Sequence, residues 1–184
     1  MTAPYGLGVF LTEHAASTQT LGARIAQFIE PGDALLLHGD LGAGKTTFAQ
    51  GLLRGLNSAQ VAQSPTFTFV SEHAGTTAKG HAVLIRHIDL YRFEELADLD
   101  SIGFVEIIDD PGAIAIVEWP ERAAGALPAN FLLFEIEIDE GERRRITLSA
   151  SRPPDRDFRS LIVQGDQRTE ADGIELDSVR SLNS

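Results

Sequence analysis

The sequence predicts an α/β domain that ends in an antiparallel hairpin, and three observations predict it. Short apolar runs, which are typical of buried strands, occur at 34–38, 83–88 and 114–117. A glycine-rich loop follows the first run and leads into a segment whose apolar residues recur at helical spacing. From residue 131 onward, apolar residues partly alternate on both sides of a turn, which is typical of two paired antiparallel strands.

The order of the elements can be predicted along the chain. A first helix is predicted over 18–30, because its apolar residues share one face and a Pro-Gly pair ends it. The other predicted elements are a strand at 34–38, a loop and helix at 39–56, a turn at 64–67 entering a strand at 67–72, a polar connection at 73–82, a strand at 83–88, short helical segments at 93–102 and 105–108, a turn at 109–112, a strand at 114–117, a hairpin over 131–148 and a short docking helix at 158–162.

The chain is predicted to form a single domain. Its 184 residues are enough for one substantial core, and no internal repeat or long linker divides them. We place the domain at 1–164. Residues 165–184 are polar with scattered apolar positions, and we predict that they form a weakly ordered tail.

Composition excludes several classes of protein. The net charge of −12 repels phosphate backbones, so a broad nucleic-acid surface on this chain alone is not expected. Cysteine is absent, which excludes disulfides and thiolate metal sites. No apolar run approaches the roughly 20 residues of a membrane helix, and the N-terminus lacks the pattern of a secretion signal. We therefore expect a cytoplasmic protein.

The most informative motif is G-x-x-x-x-G-K-T at 39–46, the pattern of a phosphate-binding loop. It lies between a predicted strand and a predicted helix, as the motif requires. Main-chain N–H groups of the loop and the partial positive charge of the helix N-terminus both favour a bound phosphate. Lys45 is expected to reach the β- and γ-phosphates, and the Thr46 hydroxyl is expected to ligate Mg²⁺.

Two acidic residues follow predicted strands and are candidate Mg²⁺ ligands. Asp89 ends the run at 83–88, and Glu118 ends the run at 114–117. In open α/β sheets, groups at the carboxyl ends of strands face the ligand crevice. Thr66 lies in a loop that is a candidate to cover the γ-phosphate, as switch loops do. The alternatives are that both acids only mark strand ends and that the Thr66 turn only positions Phe67.

Other signals are weaker. Trp119 is a candidate to lie against a nucleotide, although a core or edge position is the more common use of a tryptophan. The five histidines show no metal-ligand spacing, and no Asn-Lys-x-Asp motif exists, which disfavours GTP. The arginines at 143–145 could form a kinase-type lid, but we favour the solvated edge of the hairpin because the strand pattern resumes directly after them.

Four blocks together resemble the TsaE family, also called YjeE. They are the loop and its flanks at 38–48, Ser-Pro-Thr-Phe-Thr at 64–68, His-Ile-Asp-Leu-Tyr-Arg at 87–92 and Val-Glu-Trp-Pro-Glu at 117–121. Their order and spacing match the family over about 18–122. The resemblance implies a single P-loop NTPase-like α/β domain, with a mixed, mostly parallel central sheet flanked by helices and the C-terminal hairpin.

The resemblance also implies an activity. Members are bacterial cytoplasmic ATPases, dependent on ATP and Mg²⁺, that support threonylcarbamoyladenosine formation on tRNA beside the anticodon. They act with the TsaD and TsaB proteins, which carry the transferase centre, so contact with tRNA is expected to be indirect.

Site residues carry over from the resemblance position by position. Lys45, Asp89, Glu118 and Thr66 are the expected catalytic residues, and Thr46, Glu118 and Asp89 the expected metal ligands. The expected nucleotide contacts are Leu41, Gly42, Ala43, Gly44, Lys45, Thr46, Thr47, Trp119 and, on the adenine side, Glu13 and Thr18. Two other functions stay open from the residues alone: a small-molecule kinase with a phosphate loop, and a nucleotide-gated binding module in which hydrolysis is incidental.

Overall fold

A computed structural model of the chain describes residues 5–59, 69–93, 96–156, 158 and 174–178. In chain order the strands are β1 (Tyr5–Thr12), β2 (Ala34–His38), β3 (Val70–Thr76), β4 (Ala82–Asp89), β5 (Ala113–Glu118), β6 (Leu132–Ile138), β7 (Arg144–Ala150) and β8 (Ile174–Ser178). The α-helices are α1 (Ala15–Ile25), α2 (Lys45–Gly55), α3 (Leu96–Ser101) and α4 (Phe104–Ile108). None of these described helices is both long and apolar enough to cross a membrane.

All eight described strands form one mixed sheet in the order β3-β4-β5-β2-β6-β7-β1-β8. The central strands β4, β5, β2 and β6 pair in parallel, whereas β3 and the group β7, β1 and β8 pair antiparallel to their neighbours. The prediction of a mixed sheet with a parallel centre and a C-terminal hairpin is confirmed. The carboxyl ends of β2, β4 and β5 therefore meet at one edge of the sheet.

The centre of the sheet is buried on both faces, as parallel strands require. Leu35 and Leu37 of β2 join a cluster that contains the apolar faces of α1 and α2. Ala34 and Leu36 point to the other face and join a second cluster with residues of α3 and α4. The continuous apolar run of β2 thus packs into both clusters. Because the strand is held on both faces, its carboxyl end and the loop that follows have a fixed position.

Several element boundaries differ from the predictions. The first helix begins earlier, at Ala15, because His14 caps it: Ser17 N donates to the His14 ring at 3.1 Å, and His14 N donates to Ser17 Oγ at 3.0 Å. The α-helix ends at Ile25 and continues as a 3₁₀ turn, Ala26–Phe28. Strand β3 runs to Thr76, beyond the predicted end at residue 72, so the connection to β4 covers only 77–81.

Strand β1 was not predicted from the sequence, although it lies between β7 and β8. It contains two glycines, which are depleted in strands, and its register with β7 is irregular between Gly6 and Gly8. The predicted tail contains β8, which pairs with β1. Most of the predicted docking helix at 158–162 lies outside the described residues; Phe158 itself is buried, with its ring 5.4 Å from that of Phe28.

Helices α1 and α2 cross closely, and Gly51 makes this possible. A Cβ atom built on Gly51 would lie 2.2 Å from the carbonyl oxygen of Gln19 in α1. Gly22 and Gly55 have similarly close backbone neighbours across the same contact. The absence of side chains at these points lets α1 pack directly on the helix that follows the phosphate loop.

We predict that Gly51→Ala lowers the free energy of unfolding by about 2 kcal/mol, because the two helices must move apart. Helix propensity alone predicts the opposite, a gain of up to about 1 kcal/mol. Chemical denaturation of both proteins measures the difference, and a more stable variant would show that the helix crossing is not tight.

Candidate functional site

The phosphate-loop motif occupies the turn between β2 and α2, at the edge where the parallel strands end. Gly44 immediately precedes α2 with φ of 109°, a left-handed conformation that favours glycine. Among the residues that the structure describes, no side chain caps this end of α2. The N–H groups of its first turn therefore remain for another acceptor, and the helix dipole favours an anion there.

Lys45 is held inside the loop. Its Nζ donates to the carbonyl oxygens of Gly39 at 2.6 Å and Asp40 at 2.8 Å. The same nitrogen lies 3.7 Å from the centre of the Trp119 ring. Burial lowers the pKa of Lys45, and the negative charges of Glu118 and other nearby acids oppose this shift. The lysine is thus a desolvated cation, close to the point where an anion would meet the loop.

Asp89 and Glu118 lie side by side where β4 and β5 end, as predicted, and they are paired in the register of the two strands. Both side chains are buried. Thr46 Oγ1 donates to Glu118 Oε2 at 3.0 Å, and Tyr91 N donates to Asp89 Oδ1 at 3.0 Å. The parallel sheet thus brings together the threonine that follows the loop lysine and both predicted acids.

Trp119 closes one side of this region. Its φ is 61°, a left-handed conformation that is strained for a bulky residue, and its ring lies 5.0 Å from that of Tyr91. A cavity of about 350 Å³ separates the loop from the two strand ends. It is lined by Leu41, Gly42, Gly44, Lys45, Thr46 and Thr47 on one side and by Asp89, Tyr91, Glu118 and Trp119 on the other.

The adenine-side candidates lie elsewhere. Thr18 lines a second cavity of about 130 Å³ on the other side of the loop, which Gly44 and Thr47 also line. The Thr18 hydroxyl is 2.7 Å from the Thr12 hydroxyl. Glu13 lines neither cavity, and its carboxylate lies 3.5 Å from Arg143 Nε. Thr66 lies outside the described residues.

Arg144 touches the loop, which the sequence interpretation of 143–145 as a solvated edge missed. Its Nε donates to the carbonyl oxygen of Ala43 at 2.8 Å, and its Nη1 donates to that of Gly141 in the hairpin turn at 3.1 Å. The alternation of side chains along a strand could have indicated this, because Arg144 lies on the same face of β7 as the buried Ile146 and Leu148 and not on the solvent face. Arg144, one of the three arginines, therefore connects the hairpin to the phosphate loop by hydrogen bonds.

His87 is a second residue that the sequence interpretation passed over. It is fully buried on β4, and its Nε2 lies 2.8 Å from Glu118 Oε1. His73 is a second buried histidine, on the neighbouring strand β3. Burial lowers the pKa of His73, and the nearby His87 lowers it further.

The mixed sheet with a phosphate-loop sequence between a buried parallel strand and a helix places the chain in the P-loop NTPase-like class of α/β folds. Residues 12–146 match the family described as Threonylcarbamoyl adenosine biosynthesis protein TsaE. The chain therefore belongs to the TsaE family, as the resemblance of the four sequence blocks predicts.

Individual relatives agree with this family. The tRNA threonylcarbamoyladenosine biosynthesis protein TsaE of Bacillus subtilis is 34% identical over 139 residues, which cover 76% of this chain and 83% of that protein. The protein of the same name from Mycobacterium tuberculosis is 32% identical over 152 residues, which cover 80% and 89%. The crystal structure of Bacillus subtilis YdiB is similar with a TM-score of 0.60 and 29% identity, covering 88% of this chain and 95% of that one.

We predict that Arg144→Gln speeds hydrogen exchange of the amides at 41–44, because the carbonyls of Ala43 and Gly42, at 2.8 Å and 3.4 Å from the guanidinium, lose a cationic donor. Mass-spectrometric exchange of the nucleotide-free protein measures this effect. Arg145→Gln is the matched control, since Arg145 pairs with Asp139 of the same hairpin. Equal exchange in both variants would show that Arg144 does not hold the loop.

Proposed function

We propose that this protein is the ATP-binding and ATP-hydrolysing component required for threonylcarbamoyladenosine formation on tRNA. The single observation that carries the proposal is the convergence of the loop lysine, Thr46 and two buried carboxylates around one cavity, in a chain of the TsaE family. The family membership supports the pathway, and the geometry supports the chemistry.

The triphosphate fits the loop. The uncapped N-terminus of α2 offers N–H donors, and Lys45 offers a charge that is stronger for being desolvated. Two loop carbonyls hold this lysine, so its ammonium group is oriented before a phosphate arrives. The ribose and base would extend past Thr47 toward the second cavity, where Thr18 lies; Glu13 remains a prediction for the adenine side.

The residues beside the loop also fit Mg²⁺. This ion prefers oxygen ligands and is usually bound by one or two carboxylates together with substrate phosphates. Thr46, Glu118 and Asp89 supply one hydroxyl and two carboxylates in the same cavity. The Thr46 hydroxyl donates a hydrogen bond to Glu118, which leaves the lone pairs of the hydroxyl oxygen for a cation. When bound, Mg²⁺ would neutralise charge on the phosphoryl oxygens.

Hydrolysis needs a positioned water, and the second carboxylate is the candidate to orient it. Asp89 lines the cavity beside Glu118, and its carboxylate accepts a hydrogen bond from Tyr91 N. We propose that Glu118 acts mainly on the metal and that Asp89 acts on the metal or the water. Thr66 remains a proposed contact to the γ-phosphate.

The acidic surface is consistent with a role inside a complex. A net charge of −12 opposes tight binding of tRNA by this chain alone. We propose that TsaD and TsaB partners hold the tRNA in the cytoplasm, and that ATP binding or hydrolysis resets this assembly between turnovers. Phosphate release measured with and without the partners separates an ATPase from a binding module in which hydrolysis is incidental.

We expect Lys45→Ala to weaken ATP binding by about 10- to 100-fold, because one charged hydrogen-bond donor to phosphate is lost. Isothermal titration calorimetry with ATP and Mg²⁺ measures the affinity. Lys79→Ala is the matched control, since Lys79 is exposed and pairs with Glu30. Absence of any binding heat in the folded wild type would overturn the proposed function.

Glu118→Gln keeps the size of the side chain and removes its charge. It should reduce the gain in ATP affinity that Mg²⁺ provides and lower phosphate release by at least about tenfold, because a metal ligand is weakened. Titrations with Mg²⁺ and with EDTA measure the gain. Glu121 is exposed and pairs with His38, so Glu121→Gln is the control and should keep most of the Mg²⁺-dependent gain in affinity. If Glu118→Gln shows the same gain as the wild type, this role for Glu118 is ruled out.

A further inference from the structure

The carboxylate of Glu118 is restrained from two sides. Only 2% of this residue is exposed to solvent. Its Oε2 accepts a hydrogen bond from Thr46, and its Oε1 lies 2.8 Å from His87 Nε2. Because a buried carboxylate is costly unless its oxygens are hydrogen-bonded, both contacts stabilise the group in this place.

We assign the proton of this contact to His87 Nε2, because an ionised carboxylate only accepts hydrogen bonds. Within the described residues, the other ring nitrogen of His87 has no hydrogen-bond partner. Glu118 is therefore the partner that sets the orientation of the ring, and the ring in turn sets the orientation of the carboxylate.

The restraint matters because of where it acts. The terminal torsion of a glutamate is soft and has no sharp staggered minima. With the Thr46 contact alone, the carboxylate could rotate about its own axis; with His87 on the second oxygen, this rotation is blocked. His87 lies on a central strand with no exposed surface, so it can hold this position without contacting a ligand in the cavity.

We propose that His87 is a positioning residue that fixes the Glu118 carboxylate against Thr46 before nucleotide binds, and thereby sets how much Mg²⁺ strengthens ATP binding. This inference rests on the proposed function. Outer partners that orient metal ligands typically contribute 10- to 100-fold to metal affinity. His87 contributes to the metal-dependent part of binding and leaves the metal-independent part, which the loop provides, unchanged.

A purely structural role for His87 makes a different prediction, and His73 provides the comparison. His73 is also buried, on the neighbouring strand β3, and neither of its ring nitrogens has a hydrogen-bond partner among the described residues. It fills space without touching Glu118. If His87 only fills space, the same substitution at the two histidines should have the same consequence for nucleotide binding.

The experiment compares His87→Asn, His87→Gln and His73→Asn by calorimetric ATP titration, once with Mg²⁺ and once with EDTA. The ratio of the two affinities is the readout. We expect this ratio to fall by about 10- to 100-fold in His87→Asn, whose amide is too short to reach Glu118. It should recover largely in His87→Gln, whose amide nitrogen extends as far as Nε2, and remain at the wild-type value in His73→Asn. The EDTA affinity should be the same in all four proteins.

Two results would overturn the inference: a wild-type ratio in His87→Asn, or equal losses in His87→Asn and His73→Asn. If His87→Asn does not fold, imidazole ¹⁵N spectroscopy of the wild type and of Glu118→Gln decides, because the inference requires His87 to be protonated at Nε2 and its signal to shift when Glu118 changes. A wild type whose ATP affinity does not depend on Mg²⁺ would overturn the proposed function as well. If the wild type depends on Mg²⁺ and His87→Asn keeps the wild-type ratio, only the inference about His87 fails.

Discussion

The parallel pairing of β2, β4 and β5 is the constraint on which the site depends. Parallel strands end at the same edge of a sheet, so residues that are distant along the chain meet there. Leu37 and Asp89 both pair with Glu118 in this register, and the loop begins directly after β2. A shift of one residue in either pairing would turn Glu118 or Asp89 away from the loop.

The core makes this register rigid. Each central strand contributes side chains to both faces of the sheet. One apolar cluster packs against each face. Because both faces are buried, a slipped strand would place its few polar side chains among apolar ones at a large cost. The packing that stabilises the fold therefore also fixes the positions of the polar groups at its edge.

The polar groups at this edge depend on one another. Lys45 loses hydration by burial, and the nearby acids partly compensate for the loss. Glu118 is compensated in turn by Thr46 and His87. From the antiparallel side, Arg144 adds a cation that binds the loop carbonyls, so both halves of the mixed sheet contribute to one loop. A site of this kind is organised before a ligand arrives, which reduces the reorganisation that binding requires.

The sequence by itself determined the local chemistry: the loop motif, the strand before it, the helix after it and the two acids that follow apolar runs. These are short-range patterns, and the structure places Lys45, Thr46, Asp89 and Glu118 together as the patterns predict. Only the tertiary structure decided the partners across the sheet. Strand β1, the contact of Arg144 with the loop and the pairing of His87 with Glu118 all depend on strand register, which joins residues far apart in the chain. Alternation within β7 indicates which face Arg144 occupies, but no pattern within a single segment names the partner that it meets there.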